Sequence, residues 1–203
     1  MCPYGLNLIG KTLKNIVTLL TLAILSVIVT ACTVGVRSAA VDSTPTSDFS
    51  LKDFMGRWYE IARFDHSFER DMEYVTADYV LQDDGTVEVI NSGMRGGEAH
   101  TARGRAKTTD TPGRLRVSFF WIFYSDYNVL AMGDDGGWAL VGSRSPKYLW
   151  ILSRTPHLEQ GVLDSILAKA ASRGYDTSKL STSSSGKDAI SLRQMLRHVH
   201  IAL

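Results

Sequence analysis

The chain has 203 residues, 44% hydrophobic and 21% charged, which is enough for one compact domain with a substantial core and argues against two. Its formal net charge is +1, and residues 1–31 hold two lysines and no acid, so the remainder carries 20 basic against 21 acidic residues. That balance implies no polyanion-binding surface, and nucleic acid is not an expected partner.

Lys11 and Lys14 precede an uncharged run from Ile16 to Val29. Its fourteen residues fall short of the roughly 20 that a membrane-spanning helix needs and suit the apolar core of a secretory signal. Val29, Thr30, Ala31 and Cys32 then resemble the lipobox of bacterial lipoproteins, in which the cysteine is lipidated and becomes the first mature residue. Cys2 leaves with such a signal, and Cys32 is then the one cysteine remaining, so it cannot form an internal disulfide. Acyl chains such as palmitate on Cys32 would hold the protein to a membrane, each buried methylene contributing about 0.8 kcal/mol. Thr33 stands where aspartate would retain a lipoprotein at the inner membrane of enterobacteria, so the expected location is the bacterial outer membrane, on its periplasmic face. The expected organisation is a signal over 1–31, a small, polar, proline-bearing tether over 32–48, a domain over 49–181 and a tail over 182–203.

A short apolar turn at Phe49, Leu51 and Phe54 leads into Gly56-Arg57-Trp58-Tyr59-Glu60-Ile61-Ala62-Arg63-Phe64. Trp58 needs a covering surface for its ring and an acceptor for its indole N–H, and Gly56 lets the backbone pass close beneath it. Alternation puts Tyr59, Ile61 and Arg63 on one face and Trp58, Glu60, Ala62 and Phe64 on the other. Further strands are expected over Tyr74 to Gln82, Thr86 to Gly93, Ala99 to Thr109, Arg114 to Phe120, Asp126 to Met132, Trp138 to Arg144 and Tyr148 to Ser153. Most end at turn residues such as Asp83-Asp84-Gly85 or Asp134-Asp135-Gly136-Gly137. None needs a helical crossover, so the eight pair as an antiparallel meander.

The eighth strand is apolar on both faces, with Tyr148, Trp150 and Leu152 against Leu149 and Ile151, so both faces must be covered. Thr155 and Pro156 read as the cap and first residue of a helix that carries Leu158, Val162, Leu163, Ile166, Leu167 and Ala170 and stops at Gly174. The fold class is therefore all-β, an eight-stranded antiparallel up-and-down barrel with one C-terminal α-helix packed outside. Eight strands leave an interior that can hold one small ligand. A short strand is expected within Tyr175 to Leu180, and Asp188 to Leu203 is a candidate terminal helix.

With these residues in hand, the chain resembles the lipocalins, and within them the bacterial outer-membrane lipoprotein lipocalins, from about Asp53 to Leu180. Gly56-Arg57-Trp58-Tyr59 matches the first motif of the family, Ser125-Asp126-Tyr127 resembles the second, and Ser153-Arg154-Thr155-Pro156 resembles the third. The resemblance implies that Arg154 packs over Trp58 at the closed end of the barrel and that Gly56, Trp58, Asp126, Tyr127 and Arg154 are structural. It also implies storage or transport of a fatty acid, lysophospholipid or similar amphiphile in the cell envelope, without a cofactor. Parity and the resemblance together turn Val117, Phe119, Tyr127, Val129 and Trp150 toward the cavity. Trp121 and Ile122 stand where bacterial members often carry glycine and proline, and Asn128 where an aromatic residue is common.

Two other classes remain in view. Asp65, His66, Glu69 and Glu73 form the densest titratable cluster, but no nucleophile motif or phosphate loop accompanies them, so no catalytic residue is assigned. His198 and His200 lack a third spaced ligand, so no metal site is assigned. An envelope interaction protein using the barrel as a scaffold is the alternative to a carrier, and a homodimer stays open.

Overall fold

The computed structural model describes residues 40–182 apart from Phe68 and Trp121. Cys32, the expected signal, the tail beyond Thr182, and His198 and His200 lie outside the described residues.

A one-turn helix α1 (Leu51–Phe54), capped by Ser50 Oγ accepting from the Asp53 N–H, leads into β1 (Gly56–Phe64). The strands β2 (Glu73–Leu81), β3 (Val87–Arg95), β4 (Glu98–Thr108), β5 (Arg114–Phe120), β6 (Phe123–Met132), β7 (Trp138–Gly142) and β8 (Leu149–Ser153) follow. Each pairs antiparallel with the next, and β1 joins both β2 and β8, so the sheet closes into the expected eight-stranded barrel. Helix α2 (Gln160–Ser172) lies outside, and a ninth strand β9 (Leu180–Thr182) adds to the end of β1 at Ala62–Phe64.

Two apolar clusters divide the molecule. One fills the barrel from Phe54 and Trp58 at the closed end through Val87, Val89, Ala106, Leu115 and Val129. The other joins the barrel's outer face at Leu140, Leu149 and Ile151 to Leu163, Ile166 and Ala170 of α2. The two-faced β8 is thus covered inside by the core and outside by the helix.

The helix start and the facing of β1 differ from expectation. The helix begins at Gln160, not at Pro156, and its N-cap residue Glu159 makes no side-chain cap bond. Thr155 serves the preceding turn, where its Oγ1 donates to the His157 carbonyl at 2.6 Å and its N–H donates to Ser153 Oγ at 3.1 Å. Alternation in β1 also fails after Glu60, because the pairing with β8 slips by one residue between Glu60 and Ala62. An extra residue at a bulge resets which side chains face in. Ile61, Ala62 and Phe64 therefore all pack in the outer cluster, while Arg63 turns to the side of Glu60.

The chain from Ala40 to Asp48, expected as part of the tether, is strapped to the barrel wall. Thr46 N–H donates to the Val129 carbonyl at 2.8 Å, Asp42 N–H to the Arg173 carbonyl at 2.8 Å, and buried Asn128 Nδ2 to the Ser43 carbonyl at 2.9 Å. Arg173 bridges the strap to the sheet, donating to Thr44 O and Leu130 O, both at 2.9 Å. Polar composition suggested a linker, but these backbone groups have partners that only the folded barrel supplies.

Candidate functional site

The closed end is a plug. Trp58 is fully buried, its Nε1–H donates to the Phe54 carbonyl at 2.8 Å, and the Arg154 guanidinium carbon lies 3.6 Å from its ring centroid. Arg154 also donates to the carbonyls of Arg57 (2.7 Å), Asp53 (2.7 Å) and Met55 (2.9 Å), tying α1 and the start of β1 to the end of β8. Gly56 holds φ +89° under that guanidinium, a left-handed conformation that disfavours any side chain. Partial burial lowers the Arg154 pKa, yet guanidinium stays charged at any ordinary pH.

Above the plug the interior is partly polar. Tyr79 and Tyr127 join hydroxyl to hydroxyl across the barrel at 2.7 Å, over the ring of Phe54, and burial raises both phenol pKa values. Asp126, next in sequence to Tyr127, faces out instead and pairs with Arg144 and, at 3.6 Å, with Arg116.

Val117, Phe119, Tyr127, Val129 and Trp150 all belong to or pack against the inner cluster. Val129 is fully buried low in the barrel, whereas Phe119, Tyr127 and Trp150 retain accessible surface. Phe119 lies against the backbone of β4 at Gly104, where an added Cβ would come within 2.8 Å of its ring. Glycine in that strand is what admits the ring.

Toward the open end stands a cluster that spacing alone did not reveal. Arg63 pairs with Glu60, both almost completely buried, and its other nitrogen donates to the carbonyls of Glu69 (2.5 Å) and Met72 (3.3 Å). It thereby clamps the loop 65–72 to β1. The Glu69 carboxylate folds inward to accept from Trp150 Nε1 at 3.2 Å and Asn91 Nδ2 at 3.4 Å, with His66 Nε2 3.2 Å away. The rings of His66, Tyr148 and Trp150 gather beside it, the last two stacked 6.0 Å apart. Burial and the nearby Glu69 push Glu60 up to about 8 against the pull of Arg63.

Of the acid-base candidates, His66 and Glu69 meet. Asp65 pairs with exposed Arg70 at 3.1 Å, and Glu73 is exposed at the start of β2. Among the described residues no group of three or more His, Cys, Asp or Glu could hold a metal ion. Sequence reading missed Arg63, Tyr79 and Asn91 as interior residues. Parity would have found Tyr79, which alternates with the buried Val75 and Ala77. Arg63 was hidden by the bulge.

The lipocalin-like domain family matches residues 49–185. The outer membrane lipoprotein Blc of Vibrio cholerae is 43% identical over 141 residues, covering 67% of this chain and 82% of that protein. The Blc lipoprotein of Escherichia coli K12 is 47% identical over 140 residues, 67% of this chain and 79% of that one. Among solved structures, insecticyanin from the tobacco hornworm Manduca sexta superposes with a TM-score of 0.59 at 25% identity, over 71% of this chain and 85% of that one. Barrel, plug and these relatives agree: the chain belongs to the lipocalin family, as a lipid-anchored lipoprotein lipocalin of the bacterial outer membrane.

Proposed function

We propose that the barrel stores or transports a fatty acid, a lysophospholipid or a similar single-chain amphiphile at the periplasmic face of the outer membrane, and that lipid on Cys32 tethers it there. The observation that carries this reading is that Phe119 and Trp150, which pack on the inner cluster, keep accessible surface. Inward side chains of a filled barrel would be closed off, so the wall above the tyrosine pair is free to meet an acyl tail.

Polar groups set the ligand's orientation. Arg63 is already engaged by Glu60 and two carbonyls, and Glu69 adds a second acid. An anionic head group therefore finds Arg63 already occupied and stays at the mouth, with the apolar tail against Val117, Phe119 and Trp150.

Native mass spectrometry of the purified protein, followed by lipid extraction, tests the reading. A copurifying amphiphile of one acyl chain is expected; an empty barrel that also refuses fatty acid probes would sink it. For the tether, Cys32→Ser is expected to release most of the protein from the membrane fraction, and unchanged fractionation would remove Cys32 as the attachment point.

A further inference from the structure

The β5–β6 hairpin breaks the usual rule for a turn. Its tip is built from large apolar residues with no glycine or proline, and Phe120 pairs directly with Phe123 across it. Phe120 is 76% exposed, Ile122 74% and Phe123 76%, the three highest values among the described large hydrophobic residues. Three such side chains side by side in water are unfavourable, and a contiguous exposed apolar patch marks an interaction surface.

The tip lies at the open end. Strand β5 leaves the closed-end turn at Gly113 and rises to Phe120, and β6 descends from Phe123 toward the turn that abuts Arg154. Below it, the outer face of β4 and β5 carries Arg103, Arg105, Lys107 and Arg116, Arg105 lying opposite Ser118 and Lys107 opposite Arg116. Arg103, Arg105, Lys107 and Arg116 are exposed. Arg103, Arg105 and Arg116 meet Glu88, Asp84 and Asp126 at 2.7, 3.8 and 3.6 Å, while the Lys107 ammonium lies 4.9 Å from the ring centre of Tyr124. An exposed apolar tip above a flank of exposed arginine and lysine side chains is an arrangement that fits a bilayer, with the tip in the acyl region and long cationic side chains able to reach the phosphates.

Chain length places the anchor within reach of the same plane. The strap is fixed beside Leu130, through the Asp42 and Arg173 bonds, and β6 climbs about 23 Å from Leu130 to Phe123 at roughly 3.3 Å per residue. Residues 33–39 separate Cys32 from the strap and can extend over about 26 Å.

We infer that Phe120, Ile122 and Phe123 dock into the bilayer that anchors the protein, turning the mouth of the barrel toward the membrane surface. A second tether point of this kind fixes orientation, so an amphiphile would pass between bilayer and barrel without crossing bulk water. The inference uses the anchored location of the chain and not the identity of its ligand.

The test uses the lipidated mature protein in vesicles of phosphatidylethanolamine and phosphatidylglycerol. With Cys32 acylated, Ile122→Cys supplies a single thiol for an environment-sensitive fluorophore, and Asp134→Cys, in the closed-end turn, supplies the control. Quenching by a nitroxide-bearing lipid is expected to be at least threefold greater at position 122 than at 134. Replacing both phenylalanines in the labelled protein, by Phe120→Ser and Phe123→Ser, should abolish that difference without shifting thermal unfolding, since both side chains are exposed. Equal quenching at the two positions overturns the inference, as does quenching at 122 that survives the two serines. A probe signal that follows protein concentration instead of lipid nitroxide also overturns it, because the occupant of the tip is then a second copy of this chain.

Discussion

Arg63→Met is expected to destabilise the protein by about 3–5 kcal/mol, although methionine preserves most of the stem's packing. The loss arises because Arg63 and Glu60 are both buried, with side chains 7% and 3% exposed, and removing the cation strands a carboxyl beside a second acid. It also frees two carbonyls of the loop 65–72. The pH dependence has a defined sign. Glu60 titrates near 8 in the folded protein against 4.5 ordinarily, so the native state binds the extra proton between those values. Stability on this account is fully present below about 4.5 and is lost as pH rises toward 8. Without Arg63 the folded pKa rises further, so the variant's deficit should be larger at pH 9 than at pH 5. Urea unfolding of both proteins at the two pH values measures it; a small deficit independent of pH would mean that the pair does not stabilise the fold as described.

Trp58→Ala should cost a similar amount, about 3–5 kcal/mol, through a different mechanism. The ring is completely buried between Phe54, 5.1 Å away, and the Arg154 guanidinium. Truncation leaves a cavity at the plug, orphans the Phe54 carbonyl and removes the surface on which Arg154 lies. Trp58→Phe keeps a ring and should cost only about 1–2 kcal/mol, chiefly the indole hydrogen bond and part of the cation contact. Neither change touches the wall above Tyr79 and Tyr127, so Trp58→Phe should bind a fluorescent fatty acid with unchanged affinity. A matching loss of affinity would place the plug within the ligand site.

Much of the fold was legible because its local signals agree with one another. Glycine-bearing turns separate most strands, and β8, apolar on both faces, required an outer layer that α2 provides. What stayed hidden depends on register. One extra residue in β1 reverses the facing of everything from Ala62 onward, and no composition marks it, so the Glu60–Arg63 pair could not be foreseen from alternation. β6 begins at Phe123 and not at the expected Asp126, because a hairpin tip without a turn residue leaves the start of the strand unmarked in the sequence. Residues 40–48 looked like linker because their partners, Val129, Arg173 and Asn128, lie far along the chain. Within the proposed site, the packing of Val117, Phe119 and Trp150 on the inner cluster follows parity in β5 and β8, while the polar cluster needs the loop 65–72 folded inward to bring Glu69 onto Trp150.

Trp150 joins the two halves of the proposed site, packing on the inner cluster while its indole N–H donates to Glu69. Titration of a fluorescent fatty acid into Trp150→Arg, with near-ultraviolet circular dichroism to verify the barrel, is therefore the most direct measurement. A guanidinium projected among Val117 and Phe119 would occupy and charge the space required by the tail, so the predicted result is a loss of affinity of at least about 100-fold, or roughly 2.7 kcal/mol, in a folded barrel. Wild-type affinity in that variant would contradict the interior as the binding site.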